Sequence, residues 1–241
     1  MKAKNYFASQ FQLVLLLGLA CAFQSLSAQA ADLFSVVTGA SADVAAKVDS
    51  DILKRRVVRV NFKELAQQIG KGNAIQINLF DDLSFEGIID KTDDLAAKNY
   101  VLSGHLNGDA FSSFVLSVKG DIFVMNVRKK SGESYQVRYL GNGLNEVRQI
   151  DESKFPPCGN APIPKIAANP VAKVAADLPQ ADAANLIDVM VVYTSAARQS
   201  ALPGGTPQQQ TANMQALIAL AVSESNTAYQ NSQITPRVRL V

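Results

Sequence analysis

Phe114–Val127 reads FVLSVKGDIFVMNV. Two runs rich in β-branched and aromatic residues flank Lys119-Gly120-Asp121, a pattern that specifies a hairpin turning at the glycine. Working outward, the same alternating character recurs in Val58–Phe62, Ile75–Leu79 and Ser134–Leu140, the last closed by Gly141-Asn142-Gly143. Residues 31–150 are therefore expected to form a β-rich domain of at least six strands, with a short helix near Lys63–Ile69. Another helix is expected at its start. Ser41–Arg55 offers Ser41 as N-cap and places Val44, Val48, Ile52 and Leu53 at helical spacing.

Residues 151–185 differ in kind. Six of the nine prolines (156, 157, 162, 164, 170 and 179) fall here among many alanines. Proline removes backbone donors and alanine buries little apolar area, so this stretch is expected to be an extended, protease-accessible linker. From Leu186 the character changes again. Leu186–Thr194 (LIDVMVVYT) reads as a strand covered on both faces. Thr206-Pro207-Gln208-Gln209 then reads as a helix start, with Thr206 as N-cap, Pro207 in the first turn and Gln209 completing a capping box. Met214, Leu217, Ile218, Ala221, Val222, Ser225 and Tyr229 are expected along one buried face of that helix. Ile234–Val241 begins another strand. Strand, helix, strand is the opening of an α/β domain, and residues 186–241 are too few to finish one, so the chain is expected to be truncated.

The N-terminus carries an export signal by its composition. Lys2 and Lys4 precede the apolar Phe11–Phe23, which is too short to span a membrane, and Ala28-Gln29-Ala30 supplies a small-x-small cleavage pattern. Cleavage is expected between Ala30 and Ala31, giving a secreted protein with no stable membrane association. Gly18 and Leu19 fit a lipid-attachment signal at Cys21 poorly. The full chain has 23 basic and 21 acidic residues. Loss of the signal removes Lys2 and Lys4 and no acid, so the exported form is balanced and gives no electrostatic case for nucleic acid. Cys21 leaves with the signal, and Cys158 stays without a disulfide partner.

Catalytic motifs are scarce. A zinc hydrolase needs about three protein ligands, mostly histidines, and this chain has one histidine, His105, in Gly104-His105-Leu106-Asn107-Gly108. That position reads as a surface loop. No H-E-x-x-H, G-x-S-x-G or phosphate-binding glycine loop is present.

The order of segments nevertheless resembles a known family. Leu186–Thr194, the helix ending in Ser223-Glu224-Ser225-Asn226-Thr227-Ala228-Tyr229, and Ile234–Val241 resemble the start of a metzincin catalytic domain, nearest to reprolysin-like bacterial zinc metalloproteases such as the peptidyl-Asp metalloendopeptidases. Gly104–Val127 and Phe155-Pro156-Pro157-Cys158-Gly159 are similar to their propeptides. The resemblance implies an α+β chain: a β-rich propeptide domain, a linker, and the first strand-helix-strand of an α/β metzincin catalytic domain. It implies a secreted zinc endopeptidase precursor acting on protein or peptide substrates, on the amino side of Asp. The zinc-binding H-E-x-x-H-x-x-G-x-x-H element is absent, so this chain is expected to hold neither the catalytic residues nor the metal ligands. Cys158, followed by Gly159, takes the place of a cysteine switch, an inhibitory ligand to the zinc of the propeptide's own catalytic domain. Activation cuts are expected at Lys165 or Lys173, or by self-cleavage before Asp177 or Asp182. The alternative is a secreted β-rich binding or inhibitor protein with no catalytic activity.

Overall fold

A computed structural model describes residues 32–37, 49–96, 98–155 and 185–241. The chain divides into two compact units, residues 1–31 and 32–241; the first lies outside the described residues. In the second, nine strands form one antiparallel sheet: β1 (Phe34–Val36), β2 (Ile52–Val60), β3 (Ala74–Phe80), β4 (Leu83–Ala96), β5 (Asn99–Leu106), β6 (Asp109–Lys119), β7 (Ile122–Arg128), β8 (Ser134–Gly141) and β9 (Leu144–Ile150). Their spatial order is β1-β2-β9-β8-β7-β6-β5-β4-β3. Helix α1 (Phe62–Lys71) joins β2 to β3. The expected hairpin is β6–β7: Lys119 pairs with Ile122, and Gly120 opens the two-residue turn at φ +62°.

Strand alternation divides the sheet into two faces. Phe114, Leu116 and Val118 of β6 point inward with Phe123, Met125 and Val127 of β7, Tyr135 and Val137 of β8, and Val147 of β9. The core they build also holds Ile75, Ile77 and Leu79 of β3 and Leu65 of α1. Helix α1 is fixed by side chains: Asn61 caps it by accepting from Glu64 N at 3.1 Å, and Gln68 accepts from Gln76 N at 2.7 Å.

The sheet curls until its outer strands nearly meet. Between β1 and β3 there is no ladder. The Asn78 side-chain amide takes its place: Phe34 N donates to Asn78 Oδ1 at 2.9 Å, and Asn78 Nδ2 donates to Phe34 O at 2.8 Å. One side chain thus satisfies both backbone groups of a buried residue, as a partner strand would. Arg56, which donates to Asn78 O and Asp81, stands beside this seam.

After residue 184 come β10 (Leu186–Val189), α2 (Ser195–Ala201), α3 (Pro207–Asn231) and β11 (Arg237–Leu240), with β10 and β11 paired in parallel. The expected capping box is present at α3: Gln209 N donates to Thr206 Oγ1 at 3.3 Å and Thr206 N to Gln209 Oε1 at 2.9 Å. Helix α3 lies on the outer face of the large sheet, where Leu202, Ala216 and Leu220 meet Val101, Val115, Ile122, Val124 and Tyr139.

Several expectations need correction. The chain is not an α+β protein carrying an α/β catalytic fragment: among the described residues it is mostly β, with nine antiparallel strands in one nearly closed sheet and few helices. The run Leu186–Thr194 supplies only a four-residue strand. Leu186 and Ile187 of β10 are exposed, as are Met190, Val191, Val192 and Tyr193 beyond it, so this is no doubly covered sheet. Helix α3 packs on the barrel instead. Its buried residues are Gln210, Asn213, Ala216, Leu220 and Ser223, whereas the expected face is half-exposed and Ala221 and Ser225 are exposed. The reason lies in hydrogen bonding: Gln210 and Asn213 turn inward to donate to Leu202 O and Ala201 O, and Ala216 lets the helix sit close to the sheet. Ile52–Arg55, read as helix, belong to β2, where pairing with β9 overrides local propensity. The rest of that expected helix, 41–48, lies outside the described residues.

Candidate functional site

Of the site residues expected from sequence, Ala30, Ala31, Cys158, Lys165, Lys173, Asp177 and Asp182 all lie outside the described residues. His105 is not in a loop but on β5, at a bulge where the register with β6 shifts between Gly104 and Leu106. The bulge brings its Nδ1 to 2.9 Å from Asp90 Oδ2, and the pair is solvent-accessible. Among the described residues no group of three or more His, Cys, Asp or Glu side chains is placed to hold a metal ion.

The most elaborate polar arrangement lies on the outer face of the sheet, beside α3. Here β2 contributes Arg55, β7 Asn126, β8 Gln136 and Arg138, and β9 Glu146 and Arg148. Arg148 donates from Nε and Nη2 to Gln136 Oε1 at 3.0 and 2.7 Å. Glu146, buried, has Arg55 at 3.4 Å and Arg148 at 4.0 Å. Arg138 donates through Nη1 to the carbonyls of Met125 and Val137, both at 3.1 Å. Burial, and after it the like charge of Arg148, lower its guanidinium to about 10, and Glu224 of α3 opposes that shift. Glu224 in turn accepts from Asn126 Nδ2 at 2.6 Å. Arg55 also pairs with Asp49 at 3.9 Å, and α3 brings the Glu224 carboxylate to the side of Arg138.

A cleft of about 520 Å³ lies here between the sheet and the later turns of α3, lined by Asn126, Arg128, Gln136, Glu152, Glu224 and Asn231 among others. Arg128 and Glu152 pair across it at 2.6 Å. Asn126 Oδ1 is buried without a hydrogen-bond partner. These groups can donate and accept hydrogen bonds and pair charge. Asn126 lies in the β6–β7 hairpin and Glu224 in α3, and no local pattern joins them, because 98 positions separate them.

No family model matches the chain. A peptidyl-Asp metalloendopeptidase of Stenotrophomonas maltophilia (strain K279a) is 33% identical over 129 residues, 52% of this chain and 28% of the relative, and that of strain R551-3 matches equally. The peptidyl-Asp metalloendopeptidase of Xanthomonas campestris pv. campestris is 31% identical over the same length. A solved structure titled "Structure of a chaperone-substrate complex" aligns with 44% of this chain and 88% of its own at 14% identity; its TM-score of 0.34 is too low to inform the fold. The chain spans 28% of the length of the curated relatives it matches, and across about half of its own length it is related to metallopeptidases.

Proposed function

We propose that this chain belongs to an exported zinc metalloendopeptidase precursor and supplies the β-rich prodomain that keeps the enzyme latent. The observation that carries this reading is the 33% identity over 129 residues to peptidyl-Asp metalloendopeptidases. Those relatives act, by their name, at peptidyl-Asp bonds, and cleavage on the amino side of Asp is the specificity proposed for the whole protein. The described residues themselves do not fit a zinc centre, since they contain no cluster of three donors. No catalytic step is assigned to them.

Within this reading Cys158 is the inhibitory ligand. A thiolate binds zinc well and would occupy the position that catalysis needs for water. Cutting at Lys165 or Lys173, or before Asp177 or Asp182, would separate it from the segment that follows. The test uses the full-length gene product and two peptides, one with and one without Asp. The expected result is chelator-sensitive cleavage of the Asp peptide after processing, with a Cys158→Ser precursor already active before it. A precursor whose Cys158→Ser form stays fully latent overturns the switch. A processed product with no chelator-sensitive cleavage overturns the peptidase reading and leaves a non-catalytic β-rich binding protein.

A further inference from the structure

Residues 185–241 are tied together by a set of bonds of their own. Asn226 of α3 donates to Val238 O at 2.8 Å and accepts from Val238 N at 2.7 Å, tying the helix to β11. Arg239 of β11 grips Asp188 of β10 through two bonds of 2.6 and 2.7 Å. Asn213 and Gln210 hold the end of α2, and the capping box closes the start of α3. The contact with the barrel has a different make-up. Its apolar part is Leu202, Ala216 and Leu220 with Ala212, Leu217 and Ala219 packed against them, and its polar crossing is Asn126 to Glu224. The bulkier stripe of α3, with Met214, Ile218 and Val222, is only partly buried.

Leu217 and Leu220 of α3 pack on the barrel with Leu202, so the contact is a continuous apolar patch that can hold without a covalent link. Glu224 of α3 bonds Asn126 and lies near Arg138, whose Nη1 donates to two backbone carbonyls, so a carboxylate of the helix faces a cation of the barrel.

We infer that the barrel is a docking platform for residues 185–241 as a preformed unit. The unit stays bound non-covalently when the chain between them is cut, with Glu224 on Asn126 as its polar anchor. The bearing on latency rests on the prodomain reading: cutting the linker would not by itself free residues 185–241, which would also have to be displaced from Asn126, Arg138 and the apolar patch around Val124. The docking itself is read by association alone, so its failure is distinguishable from failure of the peptidase reading.

The experiment takes the full chain with a site-specific protease sequence inserted between Ala168 and Asn169, cuts it, and follows the two pieces by size-exclusion chromatography and binding at micromolar concentration. Circular dichroism checks that both remain folded. The expected result is co-elution, with Glu224→Ala weakening association by about tenfold or more, the loss of a hydrogen bond to a charged group. Glu224→Gln, which keeps an acceptor for Asn126 and removes the charge facing Arg138, is expected to fall between. Folded wild-type pieces that separate overturn the platform. Co-elution unaffected by Glu224→Ala overturns the anchor.

Discussion

Replacing Gly104 by alanine tests the architecture where it is tightest. A Cβ built there would lie 1.8 Å from Ile88 O and 2.8 Å from Phe114 Cε1. Ordinary contact requires about 3.5 Å, so well over an ångström must be found. Rotating the Phe114 ring could yield part of it, but the carbonyl is backbone, and β4 would have to move away from β5 where Ile89 faces Gly104. Phe114 is fully buried in the main core, so its displacement spreads to its neighbours. Overpacking of this kind costs roughly 1–3 kcal/mol and more when backbone must shift; about 3 kcal/mol is expected, a large share of the stability of an ordinary domain. Gly108→Ala is the control. Its φ of +80° strains an alanine, but nothing stands within 4 Å of the new Cβ, so about 1–2 kcal/mol is expected. Urea unfolding of the full chain, followed by tyrosine fluorescence because the protein has no tryptophan, gives both values. A Gly104→Ala loss no larger than that of Gly108→Ala would refute the clash as the deciding term.

Other outcomes can be checked on the same preparation. Asn78→Ala removes both partners of the Phe34 backbone at the seam. It is expected to cost about 2–3 kcal/mol and to speed hydrogen exchange of the Phe34 amide; unchanged exchange would count against the seam. Thr206→Ala breaks the capping box and should cost about 1 kcal/mol, with amide exchange rising first near the start of α3 and not at its end. The Asp188 carboxyl, held below its ordinary value of 3.8 chiefly by its hydrogen bond to Arg239, adds stability that is complete above that value. That contribution fades as pH falls through the lower folded value. NMR titration should place its midpoint below 3.8 in the wild type and return it toward that value in Arg239→Ala; equal midpoints in both would sink the pairing.

The sheet was legible where local pattern and tertiary demand agree. The β6–β7 hairpin announces itself by alternation around Gly120, and the start of α3 by Thr206-Pro207 with Gln209. Failures came where a distant partner decided. Ile52–Arg55 have helical spacing, yet β9 offers them a ladder. On α3 the apolar residues mark one stripe, but the polar Gln210 and Asn213 are drawn inward by the carbonyls at the end of α2. Leu186–Thr194 is apolar enough for a buried strand, and the described structure leaves most of it exposed. The Asn126–Glu224 contact was beyond reach for the same reason, since its elements meet only because α3 packs on the outer face of the sheet. The site residues inferred from family resemblance belong to segments outside the described structure.

Closing the ring with Asn78 also governs how the molecule yields to force. A barrel laddered all round must lose a full row of bonds before any strand can leave. Here β1 is held by three residue pairs to β2 on one side and by one side chain on the other. Tension applied ahead of Phe34 meets these bonds a few at a time, while eight strands keep their order behind it. Phe34, edge-to-face with Phe123 at 5.7 Å between ring centres, and the fully buried Leu33 then hold this segment on the interior. A mechanical trace recorded from the N-terminal side should accordingly begin with a small early step, well below the force that breaks the remaining sheet.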